Sequence, residues 1–171
     1  MRRLILLRHA KSSWDDPTQA DFDRPLNRRG RRVAPIMARY MAAHDLVPDR
    51  ILCSTAQRTR ETLAALLPEV RGPLDIRLID EIYEASETAI IDAIRRLGGD
   101  ARTVLVIGHN PGMEECAETL VGSTGDGLAE AFATEFPTAT VAVIDFEIDA
   151  WEALAPDGGH LSAFVRPKDL D

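Results

Sequence analysis

The run Thr103-Val104-Leu105-Val106-Ile107 constrains the fold most strongly, because it is almost entirely apolar on both faces and has the length of a strand. Such a run is typical of a central strand in a parallel sheet, where helices cover both sides. Strand-length apolar runs alternate with segments of helical period along much of the chain. We therefore expect an α/β fold, a three-layer α/β/α sandwich with a mainly parallel central sheet.

The pattern also predicts the individual elements. Strands are expected at residues 3–7, 50–53, 74–79 and 103–107, followed by strands at 140–146 and 151–154 that could pair with 161–165. Helices are expected at about 28–44, at 57–67, between Ser86 and Gly98, and from Asn110 and Pro111 as N-cap and first residue. Pro35 conflicts with a straight first helix, so a late start or a kink is expected there. Residues 11–27 and 122–127 are expected to be loops.

Composition limits the partners. The 171 residues are the size of a single domain, predicted to span 1–171. A net charge of −8 argues against nucleic acid as the main partner.

Cys53 and Cys116 are expected to be buried, and neither suggests a metal site or a disulfide. No run is long enough to span a membrane, and the four-residue apolar core near the N-terminus is too short for a signal peptide, so a cytoplasmic location is expected.

Two predicted strands run directly into a histidine. The first ends in Arg8-His9 and the central one ends in Gly108-His109-Asn110-Pro111-Gly112. Carboxyl ends of parallel strands meet at one edge of a sheet, where ligands of open α/β folds bind. The two imidazoles are therefore expected to lie side by side. A neutral imidazole can attack phosphorus, and the guanidinium of Arg8 matches phosphate oxygens.

A third segment carries cations after a strand. It runs from Cys53 through Ser54 to Thr62 and opens a predicted helix that Ser54 could cap. Arg58 and Arg60 both fall near its first turn, but residues two apart on a helix face different ways. At most one of these arginines is expected to point towards the histidines.

The three segments together match the motif pattern of a known family. Arg8-His9-Ala10, the spacing from Ser54 through Arg58 to Thr62, and Gly108-His109 resemble the signature of the histidine phosphatase superfamily, the phosphoglycerate mutase-like proteins. The spacing selects Arg58 over Arg60. Further segments resemble the small SixA-type phosphohistidine phosphatases: Arg8-His9-Ala10-Lys11-Ser12, Asp23-Arg24-Pro25-Leu26-Asn27, Tyr83-Glu84-Ala85-Ser86 and Phe136-Pro137-Thr138-Ala139. Ala10 stands where the family usually has glycine.

The resemblance implies a phosphoglycerate mutase-like fold and a two-step phosphoryl transfer without metal or other cofactor. It implies that His9 is the nucleophile, and that Arg8, Arg58 and His109 surround the phosphoryl group. Lys11 and Ser12 are expected to contribute to substrate binding. The sequence does not decide whether Arg24 contacts the substrate as well.

The sequence offers three candidates for the residue that protonates the leaving group: Asp80, Glu81 and Glu84. Glu81 fits best the place after the third predicted strand where many members of the superfamily carry an acidic residue. An imidazole leaves phosphohistidine without needing an acid, whereas an alkoxide does need one. The leading function is thus a phosphatase of phosphohistidine in proteins. The alternatives are a phosphatase of small phosphate or phosphoramidate metabolites, and a phosphate-binding module without turnover.

Activity is expected to fall on acidification through the pKa of His9. The oligomeric state is open, and His44 and His160 are expected to be structural or surface residues.

Overall fold

The computed structural model describes all of residues 1–171 and contains seven strands and five α-helices. The strands are β1 (Arg2–Arg8), β2 (Arg50–Ser54), β3 (Asp75–Ile79), β4 (Thr103–Gly108), β5 (Val121–Thr124), β6 (Val141–Phe146) and β7 (Gly159–Val165). The helices are α1 (Arg28–Ala43), α2 (Gln57–Leu66), α3 (Glu87–Leu97), α4 (Gly112–Leu120) and α5 (Ala129–Thr134). All strands join one sheet in the order β3-β2-β4-β1-β6-β7-β5. The predicted α/β class is confirmed.

β4 is the central strand that its apolar sequence predicts. It lies between β2 and β1 and pairs in parallel with both. β3 continues the parallel part of the sheet beside β2. On the other side, β6 is antiparallel to β1 and to β7, and the edge strand β5 is parallel to β7.

Two apolar cores lie on opposite faces of the sheet. Along β1, Leu4 and Leu6 face the core that includes residues of α3 and α4, while Ile5 and Leu7 face the core that includes residues of α1 and α2. This alternation is the two-residue period of a strand that is buried on both sides. The three-layer arrangement is therefore confirmed.

Strand register brings the ends of β1 and β4 together. Arg8 stands opposite Gly108, so the residue after each strand is a histidine at the same edge. The backbone N–H of His9 donates to the Gly108 carbonyl at 3.0 Å. The N–H of Ala139 donates to the carbonyls of both Arg8 and His9, each at 3.0 Å. The backbone at the end of β1 is therefore fixed from both sides.

Two predictions for the last third of the chain are wrong. Residues 151–154 are not a strand, because Trp151–Ala153 forms a 3-10 helix whose fully buried Trp151 donates its indole N–H to the Ala101 carbonyl at 2.6 Å. The apolar run is explained by this buried turn. The predicted loop at 122–127 is partly strand, since β5 pairs with β7 despite its glycines. The predicted pairing of 161–165 with β6 is confirmed.

Two helix starts also differ. α1 begins at Arg28, where the Asn27 side chain accepts a hydrogen bond from the Gly30 N–H, and Pro35 lies inside the helix. The late start is therefore wrong. α4 begins at Gly112 with Pro111 in the N-cap position, one residue later than predicted. None of the helices has the length and hydropathy needed to cross a lipid bilayer.

Candidate active site

His9 lies just beyond β1 and is 93% buried, with 7% of its surface exposed. Its Nδ1 is 2.7 Å from the carbonyl oxygen of Ala10. Because a carbonyl only accepts, Nδ1 carries the ring proton and Nε2 keeps its lone pair. Burial lowers the pKa of His9 from 6.5 to about 3, and the charges of nearby Arg58, Arg8 and Arg24 act in the same direction. His9 is therefore a neutral imidazole with an unused basic nitrogen.

His109 faces His9 across the site, with 5.3 Å between the ring centroids. Its Nε2 lies 2.7 Å from the hydroxyl of Ser54, which also accepts a weak hydrogen bond from the Ala56 N–H. We assign the Ser54 proton to the bond with Nε2, so Nδ1 of His109 carries a hydrogen. That buried Nδ1 has no partner within the protein. It is a donor available to a ligand.

Ser54 therefore has a different role from the predicted helix cap. α2 has Ala56 in the N-cap position, and no side chain caps the helix. Ser54 is fully buried and its shortest contact is with His109. The sequence prediction was wrong here because it considered only the adjacent helix, while the partner is 55 residues away.

Two arginines bring unpaired donors to the same place. Arg8 donates from Nη1 to the Phe136 carbonyl at 3.0 Å, and Arg58 donates from Nη1 to the Asp21 carbonyl at 2.8 Å. The Nε atoms of both arginines are buried and have no partner within the protein. Arg58 is 2% exposed, whereas Arg60 is exposed to solvent. The structure thus brings Arg58 to the cavity and leaves Arg60 in solvent.

Asp21 organises the cationic side chains and was not predicted from the sequence. Its carboxylate accepts hydrogen bonds from Arg58, Arg24 and the hydroxyl of Tyr83. These contacts hold the pKa of Asp21 well below its usual range and, together with burial, raise the pKa of Tyr83 to about 12. Asp21 lies in the 3-10 helix Asp21–Asp23 within the long 11–27 segment. No local pattern marks it, because its partner Arg58 is 37 residues away.

A cavity of about 200 Å³ opens over the two histidines. Its lining contains cations, imidazoles and neutral side chains but no carboxylate: Arg8, His9, Lys11, Ser12, Trp14, Arg24, Arg58, His109, Asn110 and Thr138. The predicted binding residues Lys11 and Ser12 are thus brought to the site. Arg24 joins them, donating to the Ser12 hydroxyl at 2.6 Å and stacking 3.5 Å from the centre of the exposed Trp14 ring. Such a lining suits a multiply charged oxyanion.

Glu81 is not brought to this cavity. It is exposed in the 3-10 helix Asp80–Ile82 and forms no hydrogen bond or ion pair. Asp80 accepts a hydrogen bond from the Thr55 hydroxyl. Of the three predicted candidates, only Glu84 contacts an arginine of the site, with one oxygen 3.5 Å from Arg58 Nη2 and most of its side chain in solvent. The prediction that Glu81 is the proton donor remains untested.

A family model of the histidine phosphatase superfamily (branch 1) matches residues 4–89, about half of the chain. The chain belongs to the histidine phosphatase superfamily. The superfamily assignment makes it a phosphatase of the histidine-phosphatase type.

The resemblance to solved structures extends over the whole fold. A candidate phosphohistidine phosphatase SixA from Agrobacterium tumefaciens is 36% identical, covers 97% of this chain and 98% of its own, and superimposes with a TM-score of 0.81. A second SixA candidate, from Nakamurella multipartita, is 32% identical over 97% and 96% of the two chains, with a TM-score of 0.83. An uncharacterized Mycobacterium tuberculosis protein is 35% identical over 95% of this chain and all of its own. These relatives confirm the SixA-type resemblance.

Replacing Ser54 by alanine tests the tautomer of His109. The variant removes the hydroxyl that faces Nε2, so the Nδ1–H form loses its partner, and we expect a roughly tenfold lower kcat in this histidine phosphatase. The ¹⁵N chemical shifts of His109 should change from one tautomer towards the other. Thr55→Ala is the matched control, because that hydroxyl binds Asp80 instead. Unchanged His109 shifts in Ser54→Ala would contradict the assignment.

Stability should depend on pH through both histidines. Burial lowers the pKa of His109 to about 3, as it does for His9. Since the unfolded chain has histidine pKa values near 6.5, it binds protons first, and folding free energy is lost as pH falls from about 6.5 towards 3. Urea unfolding at pH 7 and pH 5 should differ by about 2 kcal/mol for each histidine. His9→Gln should remove about half of the difference, and equal stability at the two pH values would contradict the buried neutral state.

The same pKa sets the pH at which the predicted loss of activity through His9 should occur. An ordinary imidazole would lose activity below about pH 6.5, whereas His9 with a pKa of about 3 stays neutral down to about pH 4. Any acid limb between pH 5 and pH 7 should therefore come from the substrate and not from His9.

Proposed function

We propose that this chain hydrolyses phosphohistidine in proteins, without a metal, through a covalent phosphohistidine on His9. The observation that carries the proposal is the free Nε2 of a neutral, buried His9 in a cavity lined by three arginines and His109. A neutral nucleophile in a cationic pocket is the combination that attack on a phosphoryl group requires. The two SixA relatives described as candidate phosphohistidine phosphatases support the same substrate class.

In the first step, the Nε2 lone pair of His9 attacks phosphorus. A bond between Nε2 and phosphorus forms, the bond between phosphorus and the substrate imidazole breaks, and its electron pair stays on the departing nitrogen. The second nitrogen of the substrate ring is protonated before departure, so the ring leaves as neutral imidazole. The Ala10 carbonyl, which accepts from His9 Nδ1–H at 2.7 Å, stabilises the positive charge that then develops on the ring. Arg8, Arg58 and His109 supply unpaired buried N–H donors for the equatorial oxygens.

In the second step, water attacks the phosphorus of phosphorylated His9. The new bond to oxygen replaces the bond to Nε2, whose electron pair returns to His9 as the neutral imidazole. The water proton passes to the phosphate product or to solvent. Inorganic phosphate leaves through the open cavity.

The positions of the carboxylates favour a nitrogen leaving group. No carboxylate lines the cavity, and Glu81 and Glu84 are both exposed. The imidazole of phosphohistidine can leave as a neutral group, because its second nitrogen titrates near ~6.5. An alkyl ester releases an alkoxide and loses roughly 10²–10⁴-fold in rate without an acid.

The donor set also supports chemistry without a metal. The cavity offers guanidinium and ammonium groups, which repel a divalent cation, and it lacks the carboxylates that such a cation prefers. Charge on the phosphoryl oxygens is balanced by Arg8, Arg24, Arg58 and Lys11 instead.

The experiment compares three substrates in the presence of EDTA: a phosphohistidine peptide, p-nitrophenyl phosphate and a phosphoserine peptide. We expect cleavage of phosphohistidine to be preferred and to depend on His9. Comparable cleavage of the phosphoserine peptide would indicate a metabolite phosphatase with a working acid. No turnover of any substrate would support a phosphate-binding module, and activity only without EDTA would contradict metal independence.

Glu81→Gln and Glu84→Gln test the proton donor on the same substrates. Because neither carboxylate lines the cavity, we expect phosphohistidine hydrolysis to fall less than threefold in Glu81→Gln, well below the ~10²–10⁴-fold effect of a lost general acid. Glu84→Gln serves as the comparison, since this carboxylate contacts Arg58. A loss above tenfold that is confined to Glu81→Gln would identify Glu81 as the donor.

A further inference from the structure

A second cavity, of about 270 Å³, adjoins the catalytic one. The two share Lys11 and Thr138, so they form neighbouring parts of one depression. The walls of the second cavity carry four cations, Lys11, Arg29, Arg166 and Lys168, and one carboxylate, Glu135. Arg29 also lines a further shallow cavity together with Arg28 and Arg32. We call this continuous surface the basic groove.

The positive charge of the basic groove is partly uncompensated. Lys168 pairs with Glu135 and Arg166 pairs with Asp169, so these cations are neutralised within the protein. In contrast, Lys11, Arg28, Arg29 and Arg32 are exposed and form no ion pair or side-chain hydrogen bond. The whole chain has a net charge of −8, so this cationic region stands out from its surroundings.

The placement of these arginines is unfavourable in the isolated protein. Arg28, Arg29 and Arg32 lie in the first two turns of α1, where the helix dipole is positive. The turn is packed tightly against Lys11, because a Cβ on Gly30 would collide with the Lys11 carbonyl oxygen. Four like charges are thus held together next to the catalytic cavity. An anionic partner would relieve their mutual repulsion.

We propose that the basic groove binds an acidic polypeptide segment that flanks the phosphorylated histidine of the substrate. This inference rests on the proposed function. The free cations extend over three adjoining cavities: Lys11 lines the catalytic and the second cavity, Arg29 lines the second and the third, and Arg28 and Arg32 line the third. This extended arrangement suits several carboxylates on a chain better than one further phosphate. The negative charge of the whole protein opposes a long polyanion such as nucleic acid.

The test uses two peptides that differ only in charge around one phosphohistidine, with two aspartates or two asparagines on each side. kcat/KM is measured for the wild type, for Arg29→Glu/Arg32→Glu, and for the matched control Arg39→Glu/Arg71→Glu, whose arginines are exposed elsewhere. We expect the wild type and the control to prefer the acidic peptide by roughly tenfold at low salt, and the groove variant to lose this preference. Added salt should reduce the preference. Equal kcat/KM for the two peptides in the wild type would overturn the proposal.

Binding of the unphosphorylated, fluorescein-labelled peptides separates this proposal from the proposed function. If the wild type hydrolyses neither peptide, the proposed function fails, and fluorescence anisotropy still decides the groove. Tighter binding of the acidic peptide that is lost only in Arg29→Glu/Arg32→Glu supports the proposal. No difference between the two peptides overturns it. Displacement of the acidic peptide by a lower concentration of tripolyphosphate or of a short oligonucleotide overturns it in favour of that ligand class.

Discussion

Replacing His9 by alanine is expected to lower kcat at least a thousandfold, equivalent to roughly 4 kcal/mol in the activation barrier. The variant removes the Nε2 that would form the covalent bond to phosphorus, and no other unprotonated nitrogen faces the cavity in the assigned tautomers. The measurement is kcat on a phosphohistidine peptide and on p-nitrophenyl phosphate. A reaction of the wild type with ³²P-labelled substrate, quenched in alkaline SDS because phosphohistidine is stable in alkali and hydrolyses in acid, should trap label on the protein, and His9→Ala should trap none.

His160→Ala is the matched control, because this histidine is exposed and binds Ser123 in β5, away from the cavity. Its kcat should equal that of the wild type. A loss of less than tenfold in His9→Ala would show that His9 is not the nucleophile. Thermal unfolding of both variants verifies that the fold is intact.

Replacing Arg58 by alanine is expected to lower kcat/KM by about 10²–10³-fold, the usual effect of losing one preorganised donor to a developing charge. Arg58 is 2% exposed and its unpaired Nε is buried in the site. The variant also removes two of the hydrogen bonds that hold Asp21, so part of the loss should appear in KM. Arg58→Lys keeps the charge without the planar fork and should recover only part of the rate.

Arg60→Ala controls for the change in charge, since this arginine is exposed on the same helix only two residues away. We expect its kcat/KM to stay within twofold of the wild type. Equal losses in Arg58→Ala and Arg60→Ala would show that the effect is general electrostatics and not a contact with the phosphoryl group.

Local sequence was sufficient for the central part of this fold. β4 is apolar on both faces and has the length typical of a buried strand, and the ends of β1 and β4 are neighbours because parallel strands share their direction. This reasoning, together with the resemblance, predicted His9, Arg8, Arg58 and His109 as site residues, and the structure brings all four to one cavity. The edge strand β5 and the buried turn at Trp151 were missed, because glycines are weak strand formers and an apolar run does not distinguish a strand from a buried turn.

The supporting contacts of the site were harder to predict. Asp21 reaches Arg58 and Tyr83 across 37 and 62 residues, and Ser54 reaches His109 across 55. Each of these contacts depends on how separate elements pack together, so no local motif or residue spacing in the sequence predicts it. Proton positions on the two imidazoles likewise follow from tertiary contacts. The side chains proposed to react are therefore easier to predict from the sequence than the side chains that orient them.

Because of the register between β1 and β4, changes within these strands have a different effect on the site from changes in the segments around it. Side chains alternate between the faces of a strand, so inserting one residue within either strand would turn its histidine away from the other. The surroundings of the site come largely from the 11–27 segment and from Thr138, which lie outside the paired strands. Substitutions in these segments can thus change the substrate preference, in evolution or by design, while His9 and His109 keep their positions facing each other.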